Sequence, residues 1–372
     1  MVGSEYRRES LGDMLKSMPG PSQDVDLTAK LTAKLIAAWP AAAWRDVHVL
    51  IAVSGGPDSM ALLRALLAAK QQVGGAGKLF VGHVDHALRG DDSTADADWL
   101  AEQCRKLATP LFIEKAHVGA AAEVRGDGME EAARATRYEI LTRMAETLGA
   151  RFVALGHHRD DQIETILFRL LRGSGLRGLA GMPATRPLSP SVAAVRPLLH
   201  VSRREIESYL QAIGQDSRHD ETNLDAELAA RNAIRHELLP QITERFGASA
   251  TAAILRVAEQ AAEAQSLIDM LAAELLQRCQ RQVERSPSGE VVAVTLAVAP
   301  LADQSPLLAS EALRSAWREA GWPEQAMTHA WWRRLAQFAQ MIELASPLNL
   351  PGDVHASRSE PGMLSLRRGT LS

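Results

Sequence analysis

HVLIAVSGGPDSMALLRALL, residues 48–67, decides the fold. With Val47 in front, it opens on a short apolar run, Val47-His48-Val49-Leu50-Ile51-Ala52-Val53. Such a run, β-branched and nearly unbroken, suits a strand buried on both faces of a parallel sheet. It ends in Ser54-Gly55-Gly56-Pro57-Asp58-Ser59. The paired glycines let the backbone turn through positive φ and aim successive N–H groups at one spot, and Pro57 is pre-set for the first helical position. The helix predicted over 58–69 brings its positive end to the same place, so an anion, a phosphate group, is expected there.

Two common phosphate loops are excluded by what is missing. A P-loop needs Gly-Lys-Ser/Thr, and a dinucleotide fingerprint needs a third glycine further on. Ser-Gly-Gly-x-Asp-Ser instead resembles the pyrophosphate loop of the N-type ATP pyrophosphatases, which split ATP between its α and β phosphates. An ordinary tight turn of the same composition is the alternative, and the position between a buried strand and a helix disfavours it.

At 372 residues, two or three domains are expected, and 46% hydrophobic residues suffice for their cores. No apolar run approaches the ~20 residues of a membrane span. Residues 1–23 lack an apolar stretch of the signal-peptide kind, so they read as a loose leader and the protein as cytoplasmic, with no membrane partner. Cys104 and Cys279 stand far apart and outside any CxxC pairing, against a disulfide framework, a zinc ribbon or an iron–sulfur site. The formal net charge of −4 carries no global sign of nucleic acid, so any such sign must be local.

Along the chain, an amphipathic helix is predicted over 24–45, broken near Pro40, ahead of the first strand. Further strands are predicted over 78–86, 111–116 and 151–155, alternating with helices over 92–107 and 129–148. That alternation implies a doubly wound parallel α/β sheet. Ligands of such sheets bind beyond the carboxyl ends of the strands. The polar clusters at 54–59, 83–89 and 156–161 all fall at those ends, so one site can collect all three. Helices follow over 201–213, with Ser202 and Glu205 as a capping box, over 225–239, and over 248–282. A strand over 291–298, helices over 307–320 and 325–343 and a Pro/Gly-punctuated end over 347–368 complete the chain. The reading is a leader (1–23), a catalytic domain (24–240) and a mainly helical C-terminal region (241–372).

Between Arg169 and Arg204 lie seven arginines (169, 172, 177, 186, 196, 203, 204) and no Asp or Glu. Guanidinium forks suit phosphate oxygens, which makes the tract a candidate surface for an RNA backbone, with Arg172, Arg177, Arg196 and Arg203 as the contacts. A solvated loop with counter-charges elsewhere is the plainer alternative. In Gly156-His157-His158-Arg159-Asp160-Asp161-Gln162-Ile163-Glu164-Thr165, a helix starting near Arg159 puts Asp161 and Glu164 on one face with His157 at its mouth. Carboxylates beside ATP can hold Mg²⁺, and a histidine can donate to a developing phosphate charge or move a proton. A capped helix start with surface histidines would look similar.

Six segments follow one another in the order seen in the tRNA(Ile)-lysidine synthetases, which the chain resembles over about residues 47–240. They are Ser54 to Ser59; His83-Val84-Asp85-His86-Ala87-Leu88-Arg89; Glu130-Glu131-Ala132-Ala133-Arg134-Ala135-Thr136-Arg137-Tyr138; Gly156 to Thr165; Arg172-Gly173-Ser174-Gly175-Leu176-Arg177-Gly178-Leu179-Ala180-Gly181-Met182; and Asp220-Glu221-Thr222-Asn223 with Arg231-Asn232 and Leu239-Pro240. The family usually has Gly where Ala87 stands.

The resemblance implies an adenine nucleotide alpha hydrolase-like fold and a two-step reaction. ATP adenylates the carbonyl oxygen of the wobble cytidine in the CAU anticodon of tRNA(Ile), and L-lysine then displaces AMP to give lysidine. It also implies a C-terminal region that binds tRNA. Ser54, Gly55, Gly56, Pro57, Asp58 and Ser59 then hold ATP, and Asp85 lines its adenosine. Asp58 is the first choice for Mg²⁺ and Asp161 the second. Arg137, His157, Asp161 and Arg231 look like the family's catalytic positions, with Asp161 on metal or deprotonating lysine. Glu130 and Glu164 are assigned to the lysine ammonium, although Glu130 and Arg134 could equally form an i,i+4 ion pair. Trp331 and Trp332 could stack on RNA or belong to a core. A homodimer is left open. The rivals are a tRNA thiolase of the same superfamily and a nucleotide-dependent tRNA-binding protein without catalysis.

Overall fold

The computed structural model describes residues 23–85, 91–116, 129–218, 226–247, 249–341, 346–358 and 360–369, with the backbone alone for 23–26, 91–94, 129–131 and 226–229. It divides into two compact units, Met1–Ala258 and Glu259–Ser372. The division falls inside one helix, Ser249–Arg278.

The first unit is built on a six-stranded sheet in the order β3-β2-β1-β4-β6-β5. Its strands are β1 (His48–Ala52), β2 (Leu79–Asp85), β3 (Leu111–Lys115), β4 (Ala150–Ala154), β5 (Thr185–Pro187) and β6 (Ala193–Val195). β1 pairs in parallel with both β2 and β4, Leu50 standing opposite Phe80 on one side and Val153 on the other. Only β5 runs antiparallel, against β6. Around the sheet lie α1 (Gln23–Ala38), α2 (Pro57–Val73), α3 (Asp91–Lys106), α4 (Met129–Thr147), α5 (Arg159–Leu171) and α6 (Leu176–Leu179). They are followed by α7 (Arg203–Ala212), α8 (Ala226–Ala233) and α9 (Leu239–Phe246).

The physical reason for the unbroken apolar run is visible in the packing. Val49, Ile51 and Val53 face a core shared with α1, α2 and α7 (Leu35, Leu62, Leu66, Ile206, Tyr209). Leu50, between them, faces Ile140, Leu141 and Met144 of α4 on the opposite side. A strand covered on both faces has no wet side to alternate toward, and each such side chain stabilises the fold by about 1.5–3 kcal/mol. The Ser202 capping box forms as predicted: Glu205 N–H donates to Ser202 Oγ at 3.3 Å, and Ser202 N–H donates to Glu205 Oε2 at 2.9 Å. The β5–β6 hairpin was not foreseen. Its three-residue strands give too little alternation to read, and they lie within the arginine tract, to which no strand was assigned.

The second unit has helices α11 (Pro306–Glu319) and α12 (His329–Gln340) after α10 (Ser249–Arg278), as the helical reading expects. It adds a five-stranded antiparallel sheet in the order β7-β8-β11-β10-β9, with β7 (Gln282–Arg285), β8 (Val291–Ala297), β9 (Leu348–Leu350), β10 (Val354–Ser357) and β11 (Met363–Arg368). The sequence reading held only β8 of these strands. Trp332 belongs to the core, its ring 5.5 Å from Trp317, which in turn meets Trp322 at 5.2 Å. Of the described residues, no helix is long and apolar enough to cross a membrane.

Candidate active site

The loop from Ser54 to Ser59 closes the carboxyl end of β1. Gly55 turns at φ +95°, a conformation that glycine supplies without strain, and Gly56 is the N-cap of α2 with Pro57 in the first turn. Ser59 Oγ donates to Gly56 O at 2.9 Å and accepts from Ser54 N–H at 3.2 Å, so the loop is cross-braced from within. Arg218 N–H donates to Gly55 O at 2.9 Å and ties the far side.

The carboxyl end of β4 reaches this loop at Gly156. A methyl group placed there would stand 3.1 Å from Asp58 C, Asp58 O and Ser59 N. Glycine thus permits the close approach that joins the two strand ends. Gly156→Ala is expected to cost about 1–3 kcal/mol and to weaken ATP binding, measured together by thermal melting and equilibrium dialysis.

His158 then caps α5. Its Nδ1 accepts from the N–H groups of Asp160 and Asp161 at 3.2 and 3.4 Å, and Asp161 Oδ2 accepts from His158 N–H at 3.0 Å. With Nδ1 used as acceptor, the proton sits on Nε2, which lies 3.5 Å from Asp58 Oδ1 and 3.6 Å from Asp161 Oδ2. Burial opposes a charge on His158, but the Asp58, Asp161 and Asp160 carboxylates outweigh it and leave its pKa above the usual histidine range. Asp58 Oδ1 is buried and makes no hydrogen bond among the described residues.

Asp161 and Glu164, one turn apart, are both raised by burial; repulsion from Asp58 adds to the rise of Asp161. Arg235 opposes the shift in each. Its Nε and Nη2 donate to the two Glu164 oxygens at 2.7 and 2.9 Å, and Nη2 reaches Asp161 Oδ1 at 3.3 Å. Arg235 stands in a single π-helical turn, Ile234–Leu238, between α8 and α9. Such turns recur at functional sites. Glu164, expected to grip the lysine ammonium, has a side chain that is 6% exposed and is held bidentately by Arg235. Sequence reading missed Arg235 and weighted His157 above His158. The four-residue spacing from Arg231 to Arg235 is the signal that could have found the former, because it puts both on one helix face.

His157 faces the other way, into arginines. Burial, then Arg196, Arg134 and Arg137, draw its pKa down to about 3. The sign of the consequence follows. Between pH 6.5 and about 3 the unfolded chain takes up a proton that the folded chain refuses, so stability is full above pH 6.5 and is lost as pH falls. This one group should contribute a slope of about 1.4 kcal/mol per pH unit. His157→Gln should flatten the acid limb of the stability profile in denaturant titrations.

The other predicted residues fall as follows. Asp85 and its neighbour His83 are buried at the end of β2, His83 Nδ1–H donating to Val53 O at 2.8 Å. Arg137 lies exposed on α4. Arg231 and Arg172 place their guanidiniums 5.4 and 4.6 Å from the Phe168 ring centre. Arg177 is half-buried, and Arg203 pairs with Glu207 at 3.0 Å along α7. Arg196, expected on an exposed tract, is 4% exposed, and its Nη1 donates to Pro183 O at 2.7 Å. The side chain of Glu130, residues 86–89 and residues 220–223 lie outside what is described.

The site thus gathers a backbone cradle, two carboxylates and a histidine at the ends of β1 and β4, where α/β sheets bind ligands. A family model described as a PP-loop domain matches residues 28–242. The chain is 39% identical over 341 residues to a tRNA(Ile)-lysidine synthase of Chromobacterium violaceum, covering 91% of this chain and 69% of that one. It is 41% identical over 247 residues to the tRNA(Ile)-lysidine synthase of Symbiobacterium thermophilum, covering 66% of this chain and 50% of the relative. The enzyme of that name from Geobacter sulfurreducens gives 40% over 231 residues, 62% of this chain and 47% of the other. The match therefore spans about half the length of several of these relatives. Among solved structures, the U34-tRNA thiolase of Methanococcus maripaludis superposes with a TM-score of 0.55 at 16% identity, covering 64% of this chain and 79% of that one, which speaks for the fold alone. By the extent of the family match and the relative covered over more than two thirds of its length, the chain belongs to the PP-loop family and, within it, to the tRNA(Ile)-lysidine synthases.

Proposed function

We propose that the protein ligates L-lysine to the wobble cytidine of the CAU anticodon of tRNA(Ile), using ATP and releasing AMP and pyrophosphate. The observation that carries this reading is the convergence of the Ser54–Ser59 cradle, Asp58 and Asp161 on His158, in a chain of this family. A base carbonyl is a poor electrophile. Attack of its oxygen on the α-phosphorus expels pyrophosphate, and the lysine amine then attacks the activated carbon and expels AMP. The amides of the cradle and the N-terminus of α2 stabilise the departing pyrophosphate. His158, held with its Nε2 proton directed at the two carboxylates, fixes their positions.

Mg²⁺ fits this donor set: Asp58 Oδ1 is a buried carboxylate oxygen without a hydrogen bond, the hard ligand that the ion prefers. Asp58 would hold it, with Asp161 in second place because both Asp161 oxygens already face N–H groups. Bound there, the ion would neutralise phosphate charge. Arg137 and Arg231 are assigned to the anionic phosphates. Free lysine is protonated at neutral pH, and Asp161, raised by burial, is the base assigned to take that proton. The thiolase alternative is less supported: both cysteines are buried, and burial pushes the Cys104 thiol up to about 11, far from a reactive thiolate.

The test is direct. Purified protein is incubated with ATP, labelled lysine and total tRNA. Label on tRNA(Ile) with stoichiometric AMP and pyrophosphate supports the ligase, whereas ADP and orthophosphate, or no transfer despite RNA binding, refutes it.

A further inference from the structure

On the His157 side of the site, opposite the phosphate cradle, three arginines gather round one tyrosine. The Arg186 guanidinium lies 4.5 Å from the Tyr138 ring centre and that of Arg134 5.5 Å. Arg196 Nη2 donates to the Tyr138 hydroxyl at 3.3 Å, which leaves the phenolic proton free to donate. Arg196 is buried, and its Nε has no hydrogen-bond partner among the described residues. Nor does His157 Nδ1, which is buried beside the same arginines. Among the described residues, no carboxylate forms an ion pair with Arg134, Arg186 or Arg196; the ion pairs of α4 and of the 169–204 tract lie elsewhere, at Arg143 with Glu114 and Arg203 with Glu207.

A buried cation without a carboxylate is costly, and a bound anion would remove that cost at Arg196, beside which Arg134 and Arg186 lie exposed. Burial lowers the Arg196 pKa against the help of Tyr138, and positive charge from Arg186 and Arg134 adds to it. Guanidinium forks match phosphate oxygens bidentately. The Ser54–Ser59 cradle already serves the ATP phosphates. His158, extended at φ −122° and ψ −178°, turns its ring to Asp58, whereas the ring of its neighbour His157 lies buried among the arginines. A second phosphate, not one of ATP's, is therefore called for.

We propose that Arg134, Arg186 and Arg196, with Tyr138 and His157, form a subsite for a phosphodiester of the RNA strand beside the nucleotide that reacts. This rests on the ligase reading above. The β5–β6 hairpin acquires a purpose by it, since it delivers Arg186 and, one residue past its end, Arg196 to α4.

The test uses the full chain and a synthetic RNA hairpin with a CAU loop, followed by fluorescence anisotropy over a salt series. Arg186→Gln and Arg134→Gln change exposed side chains, and thermal melting checks that each folds. Each should weaken hairpin binding by about tenfold and reduce the slope of log affinity against log salt by about 0.7, with ATP affinity unchanged. Hairpins carrying a neutral methylphosphonate at each loop linkage in turn test the unaltered protein. One linkage should reproduce the loss and add nothing to it in Arg186→Gln. The proposal is overturned if both variants bind the hairpin as the parent does, if no single linkage matters, or if affinity for ATP or free pyrophosphate falls in place of RNA affinity. If the parent transfers lysine while the variants bind RNA normally, only the subsite fails. If the parent neither binds the hairpin nor transfers lysine, the ligase reading fails with it.

Discussion

Asp58→Asn is expected to lower lysine transfer by about a thousandfold, equivalent to roughly 4 kcal/mol of transition-state stabilisation. Asp58 Oδ1 is buried and makes no hydrogen bond among the described residues, the His158 Nε2 proton standing off at 3.5 Å, so it is the oxygen most available to a cation at the phosphates. The amide keeps the shape and removes the charge. The loss should lie in the first step, read as pyrophosphate release at saturating ATP and tRNA. Asp58 repels Asp161 but supports the charge on His158, so the two effects on folding oppose each other, and thermal melting of the variant separates folding from chemistry. Activity within tenfold of the parent, at equal folding, would remove Asp58 from the chemistry.

Arg235→Met should have the largest effect on stability, about 3 kcal/mol, since it strips a nearly buried carboxylate of its partner. The lower end of the range applies because Arg235 itself is 34% exposed on its side chain. Adding Glu164→Gln to Arg235→Met should recover most of the loss, because the cost comes from the stranded charge and not from the missing contact. The pH dependence has a definite sign. Burial already raises Glu164, and without Arg235 it rises further. A carboxyl whose folded pKa exceeds its unfolded value contributes stability that is lost as pH rises through the folded pKa. The gap between variant and parent should thus narrow toward acid pH in denaturant titrations. A gap that is constant with pH, or a double variant no better than the single, would mean that Glu164 does not depend on Arg235.

How legible the site was in the chain depended on how local its physics is. The phosphate loop was readable because a buried strand, two glycines, a proline and a helix start lie within one short stretch. The capping carboxylate Asp161 was readable for the same reason, being three residues from its cap. The pairing of Glu164 with Arg235 was not readable because its partner is 71 residues away, and nothing near it in the chain marks it as engaged. The burial of Arg196 was not readable because an arginine in a run of arginines reads as exposed, whereas packing against Tyr138, 58 residues earlier, buries it. The sheet of the second unit escaped since its strands are short and its outer members carry little periodic pattern.

The sequence alone determined that β1 is covered on both faces and that a glycine turn opening a helix follows it. Hydrophobic patterning and backbone freedom act over a few residues, and so are written in residue order. Only the tertiary structure decided that the two histidines of one dipeptide serve opposite sides, His158 the carboxylates at the phosphate cradle and His157 an arginine pocket. Burial and Coulomb interactions depend on distance through space, and the groups that set them come from α2, α4, α5, the β5–β6 hairpin and the π-helical turn, which only folding brings within reach.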